Sequence, residues 1–376
     1  MLAEQSRWTL PYRALLIVDE ASLADTQTLA ALTAQAQAAH AVILLVGDRH
    51  QGGPVGAGGV FGLLARHTHH AELAALHRYQ HAWEAHATLQ LRHGHPDALH
   101  AYAAHDRLHT APAGTPPDAE RDVLLDQAHT AWSADIAAGK HALLLAADTA
   151  TVTELNARAR THRVAHGEVS SHGAPLRDGT TAGVGDHLSA RHNDRTLTDD
   201  HGRWVRNGDP LTLTTLHPDG SATATRRDTT PGQTPATVRL PANYMAEHVD
   251  LGYALTVHRA QGLTTDTAHL VLTPGTTREA LYVGLTRGGE SNDAWITTTP
   301  TAGDRHDTPG LHQPAPTPAD VLHHALTTSS NEPSATELLA ELTRRADILD
   351  ARRPQVPVRQ PEIAGPRRTM APGMDR

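Results

Sequence analysis

The chain has 376 residues, enough for two or three domains of ordinary size, and its 32 basic against 41 acidic side chains leave a formal charge of −9. That balance excludes a uniformly basic nucleic-acid coat while leaving room for a local basic groove. No apolar run approaches the ~18 residues of a membrane span and the first ten residues lack the order of a signal peptide, so no membrane partner is expected and the cytoplasm is the expected location; zero cysteine excludes disulfides and thiolate chemistry.

Residues 14–19 read Ala-Leu-Leu-Ile-Val-Asp, and residues 41–48 repeat the design as Ala-Val-Ile-Leu-Leu-Val-Gly-Asp. Each is a short apolar run closed by a carboxylate, which predicts two buried parallel strands. The Ala-, Leu- and Gln-rich segment 22–39 between them has the length of a crossover helix, completing a βαβ unit. Further helices are predicted at 83–92, 122–138 and 152–166, with a third apolar strand at 141–147. From Asp186 to Pro241 the texture changes to Thr, Arg, Asp and Gly, with turn signals at Asn207-Gly208 and Asp219-Gly220, which predicts a small antiparallel β-domain inserted in the chain.

Apolar strands return at 268–272 and 294–298. The segment 276–287 between them reads as a helix opened by a Thr276/Glu279 capping box and ended by Gly288. Beyond Thr299 the chain is Pro-rich and is expected to be irregular until Ser334-Ala-Thr-Glu337 opens one more helix, and residues 354–376 are expected to be disordered. The 29 histidines are scattered and form no His-Glu-x-x-His, so they reflect composition and not a metal site.

Two strand ends carry the residues suited to chemistry. Asp19-Glu20 closes the first strand, where one carboxylate can hold Mg²⁺ and its neighbour can orient or deprotonate a water. Gly47-Asp48-Arg49-His50-Gln51 follows the second, placing an amide where it can contact a γ-phosphate, and five glycines between 52 and 59 allow close backbone approach. Either pair alone would pass for a solvated turn. Together they describe one nucleotide site.

Leu15 to Ser22, Gly47 to Gln51 with Pro54 to Gly59, Leu76-His-Arg-Tyr79 followed by Trp83-Glu84, Leu251 to Thr264, and Tyr282 to Arg287 resemble, in order, motifs of RecD-like superfamily 1 DNA helicases. The likeness is nearest to the helicase half of the conjugative relaxase-helicases of the TrwC/TraI type and spans residues 12–298. It implies an α/β, RecA-like P-loop NTPase helicase fold. Residues 1–70 would be the C-terminal part of an incomplete first RecA-like domain, and 71–185 with 242–300 the second. Residues 186–241 would be an inserted SH3-like β-domain, and 301–376 a Pro-rich linker, one helix and a tail.

The same resemblance implies ATP and Mg²⁺ as cofactors, with Asp19 on the metal, Glu20 activating water, Gln51 sensing the γ-phosphate, and Arg78 and Arg287 neutralising transition-state charge. Asp48, Gln261 and Gly262 would line the nucleotide, while Thr256, His258 and Trp204 would meet single-stranded DNA. The implied activity is ATP-driven 5′ to 3′ translocation on that strand.

One part of the family pattern is missing. No Gly-x-x-x-x-Gly-Lys-Ser/Thr segment occurs, and the only lysine, Lys140, lies in Ala-Ala-Gly-Lys-His ahead of a strand, where it reads as an exposed helix end. With 18 residues before Asp19 the chain is expected to be N-terminally truncated, to be inactive in isolation and to depend on a companion chain carrying the phosphate loop and relaxase domain. The alternatives are a non-hydrolysing single-strand-binding module and a decayed split-gene product whose first sheet would expose an edge.

Overall fold

The computed structural model describes residues 9–54, 56–73, 78–228, 234–300, 315–331 and 333–351. The chain forms two compact units, residues 1–332 and 333–376. In chain order the strands of the first are β1 Leu15–Val18, β2 Val42–Leu45, β3 Leu108–His109, β4 Ala142–Ala146, β5 Gly173–Pro175, β6 Thr181–Gly183, β7 His187–Ala190 and β8 Asp194–Thr198. They continue as β9 Trp204–Val205, β10 Pro210–Leu216, β11 Ala222–Arg226, β12 Thr237–Leu240, β13 Val249–Leu251, β14 Ala254–Thr256, β15 Thr265–Leu272 and β16 Gly288–Ile296.

β1 and β2 pair in parallel with Leu15 opposite Val42. The helix Thr26–Ala38 that joins them starts later than the sequence predicts, because Asp25 takes the N-cap and its carboxylate accepts from the Thr28 amide at 2.6 Å. The predicted βαβ unit is present, but its strands are not buried. Leu15, Ile17, Val42 and Leu44 share one face and are 48–66% exposed. Nothing among the described residues covers that face.

The central sheet is parallel throughout, in the order β14-β4-β15-β16-β3. Its near-continuous apolar strands suit burial on both faces. Helices Glu120–Ala137 and Thr149–Ala165 pack on one side. On the other, helix Arg278–Gly284 sits against Ala82–Arg92, the short helix Val257–Ala260 and Pro318–Thr327.

The β-rich insert hangs between helix Thr149–Ala165 and β14, so it leaves and re-enters the chain between two strands that are neighbours in the sheet. Its antiparallel sheet runs β12-β11-β10-β7-β13, flanked by the ladders β5–β6 and β8–β9. Strand β13 lies beyond Pro241. The two predicted turns are present, with Gly208 at φ 96° and Gly220 at φ 80°. The buried Arg226 donates to Asp199 and Asp209 and crosslinks the insert from within.

Several local expectations are corrected. No Thr276/Glu279 capping box forms: Thr277 is the N-cap, Thr276 Oγ1 accepts from the Thr273 amide, and Glu279 turns to Ser329 and Ser330. Gly288 opens β16 and does not end the helix, which stops at Gly284. A helix stands at Pro318–Thr327 in the stretch expected to be irregular, opened by a Thr317/Asp320 capping box with proline in the first turn. Lys140 is not a free helix end, since its ammonium pairs with Glu290 and Asp135. The segment 354–376 lies outside the described residues. In the second unit the expected helix is present at Ala335–Ala351, and Ser334 and Glu337 form a capping box at its start.

This contrast sets an energetic expectation. Leu270 of β15 is fully buried, and a Cβ on Gly284 would come within 2.6 Å of it. Leu270→Ala should cost about 2–5 kcal/mol in urea unfolding, whereas Ile17→Ala, at a site 57% exposed, should cost less than about 1 kcal/mol.

Candidate functional site

The site forms where the carboxyl ends of the β1–β2 pair meet loops at the edge of the central sheet, the region where open α/β sheets place ligands. After β1, the Asp19 carboxylate accepts from the Glu20 amide at 2.9 Å, and Glu20 adopts φ 48°, ψ 39°, a left-handed conformation uncommon for a residue with a side chain. That geometry aims Glu20 across the gap. Its Oε2 accepts from Gln261 Nε2 at 3.1 Å, 241 residues along the chain. Gly262, at φ 81°, lies beside the other oxygen, 3.5 Å from where a Cβ would stand.

After β2, Asp48 gathers four donors. Oδ1 accepts from the His50 amide at 2.9 Å and from Arg92 at 3.5 Å; Oδ2 accepts from Gln51 Nε2 at 3.3 Å and from the Tyr282 hydroxyl at 3.0 Å. Arg92 is also held by Glu72 at 2.9 Å. Burial and the neighbouring Asp48 raise the Tyr282 phenol above its ordinary value, while burial lowers His50 to about 4, against the pull of Asp48. The side-chain carbonyl oxygens of Gln51 and Gln261 are buried without a protein partner. Gly52 lies against this meeting: a Cβ there would stand in ordinary van der Waals contact, 3.4 Å from Gln261 Oε1 and 4.0 Å from His258.

Arg287 is 2% exposed, and its guanidinium is committed to protein acceptors. Nε donates to Val283 O at 2.9 Å, Nη2 to Thr286 Oγ1 at 2.8 Å, and Nη1 to Leu263 O at 3.2 Å and Ala260 O at 3.4 Å. Desolvation, with the adjacent Arg78, lowers it to about 10; Glu20 is near enough to act in the opposite sense. Arg78 donates to the carbonyl of Thr286. The structure therefore brings Glu20, Asp48, Gln51, Gln261, Gly262, Arg78 and Arg287 into one neighbourhood, with Asp19 beside Glu20. Thr256 is the N-cap of the short helix that carries the exposed His258. Trp204 belongs to the β8–β9 ladder of the insert, with the guanidinium groups of Arg206 and Arg195 over its ring at 5.1 and 5.6 Å.

Residues 2–113 match the AAA domain family. Conjugal transfer protein TraA of Rhizobium radiobacter is 28% identical over 291 residues, 76% of this chain and 25% of that protein. TraA of Agrobacterium fabrum is 27% identical over 289 residues, with the same two coverages. The chain is a relative of the RecD-like superfamily 1 helicases of conjugative relaxase type. This helicase relative spans about a quarter of the length of the curated relatives it matches. A solved structure of Bacteroides Pif1 helicase, in complex with ADP-AlF3 and ssDNA, is also similar, at TM-score 0.47 and 15% identity over 89% of this chain and 76% of that one. The parallel sheet with helices on both faces is the α/β, RecA-like arrangement that the motifs imply.

Sequence reasoning missed four contributors to the helicase-like cleft: Tyr282, Arg92, Glu279 and Asn331. Tyr282 stood within a recognised segment, but its partner Asp48 lies 234 residues away. Arg92 and Asn331 carried no local signal, since their partners lie 44 and at least 280 residues away.

Glu84, of the Trp83-Glu84 pair, is fully buried; one oxygen accepts from Asn292 at 2.8 Å and the other has no partner. Burial pushes its carboxyl up from 4.5 to about 7, against the Asn292 hydrogen bond. A pKa raised by folding favours the native state below pH 4.5, and that advantage is lost as pH rises to about 7. Relative to Glu84→Gln, the native chain should lose on the order of 3 kcal/mol of stability across that window, measured by urea unfolding at a series of pH values.

Proposed function

We propose that the chain is the working part of an ATP-dependent DNA helicase motor, coupling ATP hydrolysis to 5′ to 3′ movement on single-stranded DNA. The contact that supports this most is Glu20 to Gln261 at 3.1 Å, because it sets the acid after β1 against the segment that follows β14, from a separate parallel sheet. In this reading residues 1–70 belong to a first RecA-like domain, 71–185 with 242–300 form the second, and 186–241 are an SH3-like insert. The polarity rests on the motif resemblance.

The donor set suits a nucleotide with Mg²⁺. Asp19 is exposed at the mouth, and among the described residues no group of three or more His, Asp or Glu is placed to hold a metal alone. Mg²⁺ would therefore be held by Asp19, phosphate oxygens and water, the usual manner for this ion. ATP would supply the phosphoryl group whose transfer to water drives movement. Glu20 orients and accepts a proton from that water, and Gln51 offers its unpartnered carbonyl to the same region. Arg78 and Arg287 offset developing negative charge; Arg287 would do so by exchanging the two longest of its bonds, those of Nη1.

Amides that cradle the β- and γ-phosphates are the part the residues do not provide, because no Gly-x-x-x-x-Gly-Lys-Ser/Thr segment occurs in the sequence. They would come from a segment outside these residues, in the same polypeptide or in a companion. A second reading, a single-strand-binding module without hydrolysis, draws on that same gap and on the commitment of Arg287 to backbone carbonyls.

The purified chain alone should show no ATPase activity with or without single-stranded DNA. Turnover that disappears in Glu20→Gln would overturn the dependence on that outside segment. Single-stranded DNA should bind the chain with an affinity that falls as salt rises, reflecting displaced counterions. Filter binding at low ionic strength with no retained DNA would remove both readings.

A further inference from the structure

We infer that residues 328–331 form a strap that fixes the position of Gln51, with Asn331 as a positioning residue for that glutamine. The strap follows helix Pro318–Thr327 and is anchored at the start of helix Arg278–Gly284. Thr328 O accepts from the Arg278 amide at 2.8 Å. Glu279, only 2% exposed, accepts from Ser329 Oγ at 2.6 Å, the Ser330 amide at 2.8 Å and Ser330 Oγ at 3.1 Å. Three donors on one buried carboxylate make this anchor stiff, since releasing any of them strands charge away from water.

From that anchor Asn331 reaches the glutamine loop. Its Nδ2 donates to the backbone carbonyls of Arg49 at 3.1 Å and Gln51 at 3.2 Å. Its Oδ1 turns to Gly53, where a Cβ would stand only 2.9 Å away, so the close approach needs glycine at that position. Inside the loop the Gln51 amide makes one backbone bond, to Asp48 O at 3.2 Å.

The same helix also holds the loop by a second route, since Tyr282, three residues after Glu279, donates to Asp48. Helix Arg278–Gly284 thus grips the residues around Gln51 at two points, and Arg287 follows directly from it. A shift of this helix therefore carries Gln51 and Arg287 together, with no bound molecule required. The consequence for nucleotide handling rests on the reading of Gln51 given above; the strap itself does not.

Asn331→Asp keeps the shape of the side chain, removes both donors and sets a carboxylate against two carbonyls. Hydrogen exchange of the backbone amides of residues 49–53 should accelerate about tenfold or more, while exchange in β15 and the thermal midpoint stay as in the native chain. Asn331→Ala, which adds no charge, gives the same readout should the aspartate variant not fold. His323→Ala, on the exposed side of the preceding helix, should leave the loop unchanged. Unaltered exchange at 49–53 in both Asn331 variants would overturn the strap. Titration with Mg²⁺ and a non-hydrolysable ATP analogue, which keeps the γ-phosphate, separates the two ideas: faster exchange with weakened analogue binding supports strap and cleft together. Faster exchange with undiminished binding of the analogue supports the strap and counts against the role given to Gln51.

Discussion

The cleft depends on a partly buried carboxylate that must be satisfied. Asp48 sits at the end of a strand whose own sheet has two members, and it finds its partners in Arg92 and Tyr282, from helices packed on the other sheet. An ionised carboxylate removed from water costs several kcal/mol unless donors replace the lost solvent. Here the replacements come from three separate stretches of chain. The demand of one anion thereby ties the β1–β2 pair to helices Ala82–Arg92 and Arg278–Gly284, which Arg78 precedes and Arg287 follows, and the Glu20–Gln261 contact falls within the geometry so defined.

The two parallel sheets differ in how fully they are covered. β15 and β16 are enclosed on both faces, and almost every residue of these strands is buried. β1 and β2 carry equally apolar side chains, yet half of them face outward. A two-stranded sheet cannot enclose both of its faces by itself. Its position is held by polar contacts at the strand ends more than by a core of its own. The residues given roles in the proposed motor, Asp19–Glu20 and Asp48–Gln51, lie at these same strand ends.

Polar chemistry at the cleft is arranged in the same economical way. The side-chain amide nitrogens of Gln51 and Gln261 are spent on carboxylates, which leaves their side-chain carbonyl oxygens buried and unpartnered. Arg287 is spent almost entirely on carbonyls of the chain that surrounds it. Acceptors are therefore available in this arrangement and cationic donors are held back, so a polyanion would have to compete for the guanidinium with the backbone. The left-handed backbone at Glu20 is the one strained element that serves this layout directly.

Much of this was legible in the sequence, because strand runs, turn glycines and the acids that close strands obey local rules. The parallel pair, the crossover helix and the antiparallel insert follow from periodicity and turn signals, while the meeting of Glu20, Gln51, Gln261 and the arginines is what the motif resemblance implied. Local rules failed where a residue had two uses. Glu279 looked like a cap for its own helix, but buried against Ser329 and Ser330 it served a distant segment instead, and Gly288 looked like a helix end while its backbone was needed to start a strand. Pro318–Thr327 was overlooked because proline in its first turn resembles irregular chain until the Thr317/Asp320 pair is noticed. The sequence by itself determined which acids and amides close the two first strands, since side-chain type and strand position are local properties. Only the tertiary structure decided that one face of β1 and β2 stands open and that Asn331 reaches the glutamine loop. Burial and long-range hydrogen bonding depend on which surfaces meet, and no local pattern encodes that.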